Sequence, residues 1–141
     1  QEREQPMPIE LTKQAIDLGI VMLDGDAALK FYRDTLGFEH EGDIPHPLGG
    51  TMHRLWCGDS LIKIMVPEEE PAGRAAAGGI PAATGYRYWT ISVSNIEKLV
   101  TACKEGGYTV RVEPTEIRPG VTIAMVEDPE GNWVELLKNE A

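Results

Sequence analysis

An internal repeat is the feature of this 141-residue chain that most constrains its fold. The two halves align at one fixed offset over their first parts, and they align again, after a single insertion, near their ends. The aligned positions are Asp17 with Tyr88, Asp24 with Asn95, Leu29 with Val100, and Ile62-Lys63-Ile64 with Val134-Glu135-Leu136. A unit of this size cannot bury a sheet face alone, so we expect the two copies to pair into one curved sheet.

The repeat predicts a βαβββ order in each half, and local patterns assign most of its elements. Asp24 and Gly37 bound the first helix, and Asn95 and Gly106 bound the second. The predicted strands are 16–23, 52–57 and 61–66 in the first half, and 88–93, 108–112, 121–126 and 133–137 in the second. The chain then divides into a polar tail (1–13), a first module (14–66), a Pro/Gly/Ala-rich linker (67–85) and a second module (86–138), within a single compact domain.

Alternation along the strands separates two sheet faces. In the last strand Val134 and Leu136 face one way and Glu135 the other. The residues expected to pack the sheets against the helices are Ile20, Met22, Ile62, Ile64, Trp89, Ile91, Val93, Val134 and Leu136. The strand at 52–57 stays ambiguous, because either its odd residues, His53 and Leu55, or its even residues point to the same side as Glu135.

Composition and charge limit the classes of molecule that the chain can bind. The net charge of −10 argues against nucleic acid and against anionic membrane surfaces. No apolar run approaches the ~20 residues that cross a bilayer. Cys57 and Cys103 form no metal motif and are expected to be free thiols. We expect a cytoplasmic protein, with a processed or exported form as the alternative because the chain starts at Gln1.

Two motifs carry a resemblance to a known family. Together with the repeated βαβββ unit, ALKFYRDTLGF (28–38) and DPEGNWVEL (128–136) resemble the vicinal oxygen chelate superfamily, which includes glyoxalase I, bleomycin-resistance proteins and extradiol dioxygenases. The resemblance covers about residues 14–138. It implies an α+β fold whose paired modules curve around a U-shaped cavity with the helices outside, and it implies that Glu135 points into that cavity.

In metal-dependent members of that superfamily, four inward positions on the first and last strands of the modules hold the metal. Here those positions are Asp17, Lys63, Tyr88 and Glu135, and Glu135 alone matches the usual His/Glu set. An ammonium group within ~4 Å of a divalent cation is strongly repulsive. We therefore expect no metal cofactor; if a metal does bind, its ligands would be Asp17, Glu135 and His53.

Lys63 is expected to pair with a carboxylate, Glu135 or Asp17. Such a pair either only replaces the lost metal as internal support, or it binds a polar substrate with Glu135 as a base beside a cation. The resemblance and the alternation give catalytic candidates Glu135, Lys63 and Tyr88, and substrate-binding candidates Asp17, His53, Trp133, Tyr86, Met65 and Thr90. Of the other histidines, His40 is expected on the solvated surface and His46 in a loop near the cavity mouth.

Two functions are consistent with these residues. The first is a lyase- or isomerase-type enzyme that acts on a small carbonyl or aromatic metabolite. The alternative is a non-catalytic protein that binds and sequesters a drug or metabolite. We favour the enzyme, because a binder has little need to bury Asp, Lys and Glu together. The expected partners are a small-molecule ligand and, as in many relatives, a second copy of the chain in a homodimer.

Overall fold

The computed structural model describes residues 8–141, and residues 1–7 of the predicted tail lie outside that range. The first module contains β1 (Leu18–Val21), α1 (Gly25–Leu29) extended by a π-helical segment (Lys30–Thr35), β2 (Glu39–Pro45), β3 (Thr51–Cys57) and β4 (Ser60–Val66). The second contains β5 (Tyr88–Ser92), α2 (Ile96–Glu105), β6 (Val110–Arg118), β7 (Val121–Glu127) and β8 (Trp133–Asn139). The predicted α+β fold of paired βαβββ modules is confirmed.

Each module forms its own four-stranded sheet, so the two copies do not pair into the one curved sheet that the repeat predicted. Sheet A has the order β1-β4-β3-β2, and sheet B has the equivalent order β5-β8-β7-β6. The first strand of each module lies at a sheet edge and runs parallel to the last strand, while the other pairs are antiparallel. This order brings the first and last strands of each module side by side.

Strand β2 was not assigned from the sequence. Its residues, Glu39–Pro45, include three acids, a glycine and a proline, and such residues are depleted in strands. The segment becomes a strand because it pairs with β3 over its whole length, with a shift of register between His40 and Gly42. Tertiary pairing therefore overrides the local preference.

The two helices begin where the caps predicted. The Asp24 carboxylate accepts a hydrogen bond from the Ala27 N–H at 3.0 Å. Asn95 precedes α2 without a side-chain capping bond. At the end of the first helix the turn widens, since the Leu36 N–H donates to the Phe31 carbonyl. The widened turn includes Phe31 and Tyr32, which are both fully buried.

A single hydrophobic core joins the modules through the helix-bearing faces of both sheets. All nine residues predicted to pack sheets on helices belong to this core or pack against it. The Phe31 ring meets Tyr108 edge-on with centroids 4.8 Å apart, and the Tyr32 ring lies 6.2 Å from Trp89. The first helix therefore packs against residues of the second module.

One buried polar contact accompanies this core. The Tyr32 hydroxyl donates to the Asp128 carboxylate at 2.6 Å, and only 4% of Asp128 is exposed. Burial raises the pKa of the Asp128 carboxyl, although hydrogen bonds from Tyr32 and Asn132 act in the opposite direction. Burial and the nearby Asp128 charge also raise the pKa of Tyr32 well above its ordinary value.

Both cysteines are free thiols, as expected. Cys57 is half-buried and Cys103 is buried. Burial raises the pKa of Cys103 to about 11, so this thiol is unreactive at neutral pH. Within residues 8–141, no helix has the length and apolar character needed to cross a membrane.

Removing the Tyr32 hydroxyl tests the polar contact in the core. Tyr32→Phe keeps the ring but leaves the buried Asp128 carboxylate with one donor fewer, which costs about 1–3 kcal/mol of unfolding free energy. Tyr108→Phe is the matched control, because the Tyr108 ring packs on Phe31 and its hydroxyl has no side-chain partner among the described residues. Urea denaturation of the three proteins measures the difference.

The cost of Tyr32→Phe depends on pH in a defined direction. Since the folded-state pKa of Asp128 lies above its ordinary value, wild-type stability falls as pH rises through the window between the two. Losing the Tyr32 donor raises that pKa further, so the penalty is largest at pH 7 and shrinks below the ordinary pKa. Urea denaturation of wild type and Tyr32→Phe at pH 7 and at a pH below the ordinary pKa of Asp measures this difference. If Tyr32→Phe loses the same unfolding free energy at both pH values, the partner of Tyr32 is not an ionised Asp128.

Candidate functional site

The face of each sheet that carries no helix, called here the helix-free face, contains most of the predicted site residues. In sheet A, Ile62 and Ile64 belong to the core, so the residue between them, Lys63, lies on the helix-free face. Its cross-strand neighbour there is Arg54. Met65 lies on the same face, next to Met52 and Val21.

In sheet B the corresponding position is Glu135, between the core residues Val134 and Leu136. Its neighbours across the strands are Thr90 on β5 and Met125 on β7. The Thr90 hydroxyl donates to Glu135 Oε1 at 2.6 Å. Oε2 has no protein hydrogen-bond partner among the described residues, so half of the carboxylate is free to act on another molecule.

Apolar side chains surround Glu135. Met125 is 5% exposed, Trp133 7% and Ile123 8%, yet none of them belongs to the main core. Strand β6, which bears three shifts of register against β7, is the bulged and therefore bent member of this sheet. Sheet B therefore carries a second, smaller group of buried apolar side chains on its helix-free face.

The linker contributes to this layer. Gly79 is buried at a φ of +63°, and a Cβ on it would lie 2.0 Å from the Trp133 ring. The Arg87 guanidinium holds the segment by donating to the carbonyls of Gly79 and Ala76. The other polar contacts of Trp133 are with Glu127, which accepts its indole N–H at 3.0 Å, and with Arg111, 5.5 Å from the ring centroid.

Asp17 lies at the start of sheet A with its carboxylate already engaged. Oδ1 accepts from Lys13 Nζ at 2.7 Å and from the Leu61 N–H at 3.2 Å. These two bonds lower the pKa of Asp17, and the bond from Lys13 has the larger effect. Its negative charge is therefore compensated locally before any ligand is considered.

Lys63 and Glu135 do not meet within the chain. Neither residue takes part in an ion pair anywhere in residues 8–141, so the expected pair with each other, or of Lys63 with Asp17, is not formed. The reason is topological. The modules contact one another through their helix-bearing faces, and no strand of sheet A is hydrogen-bonded to sheet B.

The four positions that hold a metal in metal-dependent relatives do not suit a divalent cation here. Lys63 supplies a positive charge, and Asp17 is engaged by Lys13. Tyr88, which is 48% exposed on an edge strand, is a weak ligand while its phenol is protonated. The fallback set of Asp17, Glu135 and His53 is not brought together either.

Two histidines lie elsewhere than expected. His53 pairs with Ile64 and lies on the helix-bearing side of sheet A, so Arg54 and Trp56, not His53, share the face of Lys63. His53 is therefore not placed to bind a substrate beside Lys63. His40 is not solvated surface, because its side chain is 19% exposed and bonds to Asp43. Tyr86, another substrate-binding candidate, is fully exposed ahead of β5.

Sequence reasoning missed one polar group of the helix-free face. Glu41, on the unassigned strand β2, accepts from Arg54 Nε at 2.6 Å and from the Trp56 indole N–H at 2.8 Å. These bonds lower the pKa of Glu41, and the bond from Arg54 has a larger effect than the bond from Trp56. The repeat was the available signal, since a complete βαβββ unit requires a strand between the first helix and β3.

These features define a class of α+β proteins built from two βαβββ units, and comparison identifies the family. Residues 17–136 match the model of the Glyoxalase/Bleomycin resistance protein/Dioxygenase superfamily. The chain belongs to this superfamily, whose description names enzymes beside resistance proteins.

Individual relatives agree with this placement. The chain is 30% identical over 128 residues to the Bacillus subtilis (strain 168) protein YurT, covering 84% of this chain and 94% of that one. A glyoxalase family protein from Bacillus cereus shares the fold with a TM-score of 0.77 at 18% identity, covering 97% and 100% of the two chains. TnmS3, an antibiotic binding protein from Streptomyces sp. CB03234, does so with a TM-score of 0.66 at 19% identity, covering 93% and 100%.

Gly79→Ala tests whether the linker covers the Trp133 side of the site. The new Cβ would lie only 2.0 Å from the buried Trp133 ring, and the positive φ adds backbone strain, so the linker must lift. We expect about 1–3 kcal/mol of destabilisation, a shifted indole N–H resonance of Trp133 and faster proteolysis within 67–85. Gly73→Ala is the matched control, because a Cβ there meets nothing within 4 Å. An unmoved Trp133 resonance in Gly79→Ala would show that the linker does not rest on this ring.

Proposed function

We propose that the chain binds a small carbonyl-bearing or aromatic molecule against the helix-free face around Glu135, and that Glu135 acts on it as a base in a lyase- or isomerase-type reaction. The observation that carries this proposal is the state of the carboxylate. Thr90 fixes Oε1, while Oε2 has no partner among the described residues, and the cross-strand neighbour Met125 is buried. A carboxylate held in one orientation in such surroundings is suited to removing a proton.

Lys63 supplies the complementary charge. When a base removes a proton from the carbon beside a carbonyl, negative charge develops on the carbonyl oxygen, and a fixed cation there stabilises the transition state. The Lys63 ammonium has no carboxylate partner within residues 8–141, and so it is available for this role. Return of the proton to another carbon gives an isomer, whereas loss of a neighbouring leaving group gives the product of a lyase.

Two copies of the chain are needed to bring these groups together under this proposal. Contacts within a chain use the helix-bearing faces, which leaves the helix-free faces of both sheets for another molecule. The edge strands β1 and β5 also carry exposed apolar residues on those faces, with Val21 55% and Tyr88 48% exposed. A homodimer that apposes sheet A of one copy to sheet B of the other places Lys63 opposite Glu135.

Sequestration without turnover is the second candidate. The buried apolar layer of Ile123, Met125 and Trp133 suits an aromatic ligand held by contact alone. The structural likeness to an antibiotic binding protein supports this candidate at the level of the fold. The two functions differ in whether a proton leaves the bound molecule, and this can be measured without knowing the product.

Deuterium exchange separates the two functions. Aromatic α-keto acids, β-keto acids and α-hydroxy ketones are first screened for binding by thermal shift, and the binders are then incubated with the protein in D₂O. We expect loss of the proton NMR signal beside the carbonyl, slowed about 10²-fold or more in Glu135→Gln, which keeps the shape but cannot accept a proton.

Glu105→Gln, on the exposed surface of α2, is the matched control and should exchange at the wild-type rate. Binding without exchange in the wild type would favour sequestration. Equal exchange in wild type and Glu135→Gln would remove Glu135 as the base. If the wild type binds without exchange and Glu135→Gln binds with the same affinity, Glu135 has no part in the site.

Mixing two inactive variants tests the shared cavity. Lys63→Ala and Glu135→Gln are each expected to lose binding or exchange. If each cavity takes Lys63 from one copy and Glu135 from the other, a heterodimer of the two variants has one cavity with both substitutions and one with neither. A refolded equimolar mixture should then recover about a quarter of the wild-type sites. If the mixture recovers nothing although heterodimers form, the two residues do not act in one shared cavity.

A further inference from the structure

We propose that His40, Asp43 and His53 form a binding site for a divalent transition cation such as Zn²⁺. The three residues lie on the β2–β3 hairpin, on the helix-bearing side of sheet A and beside the start of α1. None of them is one of the four ligand positions Asp17, Lys63, Tyr88 and Glu135. The proposal is therefore independent of the proposed function.

The hairpin register brings the three side chains to one place. Asp43 and His53 are direct cross-strand partners, and His40 is opposite Leu55, a core residue two positions from His53. In a regular strand, residues three apart point to opposite faces. The shift of register between His40 and Gly42 removes this difference, so His40 and Asp43 share the face of His53.

The donor atoms already converge on one carboxylate oxygen. Asp43 Oδ1 lies 2.6 Å from His40 Nε2 and 2.7 Å from His53 Nδ1. All three donor atoms lie within 4.8 Å of one another. Metal–ligand bonds of about 2.0–2.2 Å place tetrahedral ligand atoms about 3.3 Å apart. Each ligand atom therefore needs to move by less than about 1 Å for all three to bind one cation. A carboxylate can only accept hydrogen bonds, so the cation would take the place of the proton between each of these imidazole nitrogens and Asp43 Oδ1.

The surroundings combine fixed rings with an entry path. The side chains of His53 and His40 are 13% and 19% exposed, whereas that of Asp43 is 43% exposed. His53 Nε2 lies so close to Gly25 that a Cβ at that position would be 2.7 Å away, which limits rotation of the ring. Two held nitrogens with an accessible carboxylate leave the fourth coordination position to water. A nitrogen and oxygen set of this kind suits zinc, cobalt and nickel.

One neighbour opposes the cation, and this gives the proposal a directional test. Arg33 Nη1 lies 3.3 Å from His40 Nδ1. A cation on Nε2 requires the remaining ring proton on Nδ1, where the guanidinium now approaches. Arg33 must then give up this contact, although it keeps Asp34 at 2.8 Å. Removing the Arg33 side chain should therefore tighten cation binding.

The experiment uses the full chain without a polyhistidine tag. Co²⁺ binding is followed by its visible absorption bands, and Zn²⁺ binding is followed by calorimetry and by displacement of Co²⁺. The wild type should bind one ion. Affinity should fall at least tenfold in His40→Gln and in Asp43→Asn, and it should rise at least threefold in Arg33→Ala. His46→Gln is the matched control, because His46 lies outside the cluster and accepts from the Leu48 N–H.

Circular dichroism establishes that each variant is folded, so that lost binding is not lost structure. The proposal is overturned if folded wild type binds neither ion at 100-fold excess over protein, which would leave the cluster as a hydrogen-bonded network of protons only. It is also overturned if His46→Gln weakens binding as much as His40→Gln does. Unchanged or weaker binding in Arg33→Ala would contradict the assigned donor atom of His40.

Discussion

The hydrogen bond from Tyr32 to Asp128 joins the first module to the turn that precedes the site strand β8 of the second. The same carboxylate organises the turn before β8. Oδ1 accepts from the backbone N–H groups of Glu130 and Asn132 at 2.8 and 2.9 Å, and Oδ2 accepts from the Asn132 amide at 3.0 Å. A buried carboxylate is tolerated when its lone pairs are filled in this way. Since a slip of one residue would turn Glu135 into the core, the turn that sets the start of β8 also sets the site.

The rest of the turn extends the same role. Glu130 Oε2 accepts from the Leu23 N–H at 3.3 Å, just beyond β1, and Oε1 pairs with Arg74 of the linker. The DPEGN segment thus contacts the residues after β1, the π-helical segment and the linker. The motif that carried much of the resemblance therefore has a structural function in this chain. The polar side chains of its DPEGN part join the modules, and Glu135, in the strand part of the same motif, faces the candidate site.

The sequence was most informative where one periodic strand had one buried face. Alternation correctly placed Val134 and Leu136 on one face of β8 and Glu135 on the other. When the two neighbours of a strand residue point into the core, that residue must point to the opposite face. It failed for β2, whose residues have poor strand propensity and whose pairing with β3 is a tertiary effect. It also left β3 open, because His53, Leu55, Arg54 and Trp56 have no clear apolar and polar alternation.

The sequence repeat could not predict how the two modules contact each other. Internal symmetry makes Lys63 and Glu135 equivalent, and equivalent positions in two units meet only if the units join through the faces that bear them. In this chain the wide aromatic side chains of Phe31, Tyr32, Trp89 and Tyr108 fill the space between the helix-bearing faces. Burial of that surface decides the arrangement, and a symmetric alignment contains no information about which face is buried.

Successive residues of β3 lie on opposite faces of sheet A, and this separates the two proposed sites. His53 and Leu55 point to the helix-bearing side, where one belongs to the His/Asp cluster and the other to the core, while Arg54 points to the face of Lys63. A cation held by His53 would therefore be separated from a ligand beside Lys63 by the thickness of the sheet. The two could influence each other only by moving β3, and its pairing on both sides with β2 and β4 opposes such movement. The two proposed sites on this strand should therefore be nearly independent, because neighbouring residues of a strand belong to opposite faces.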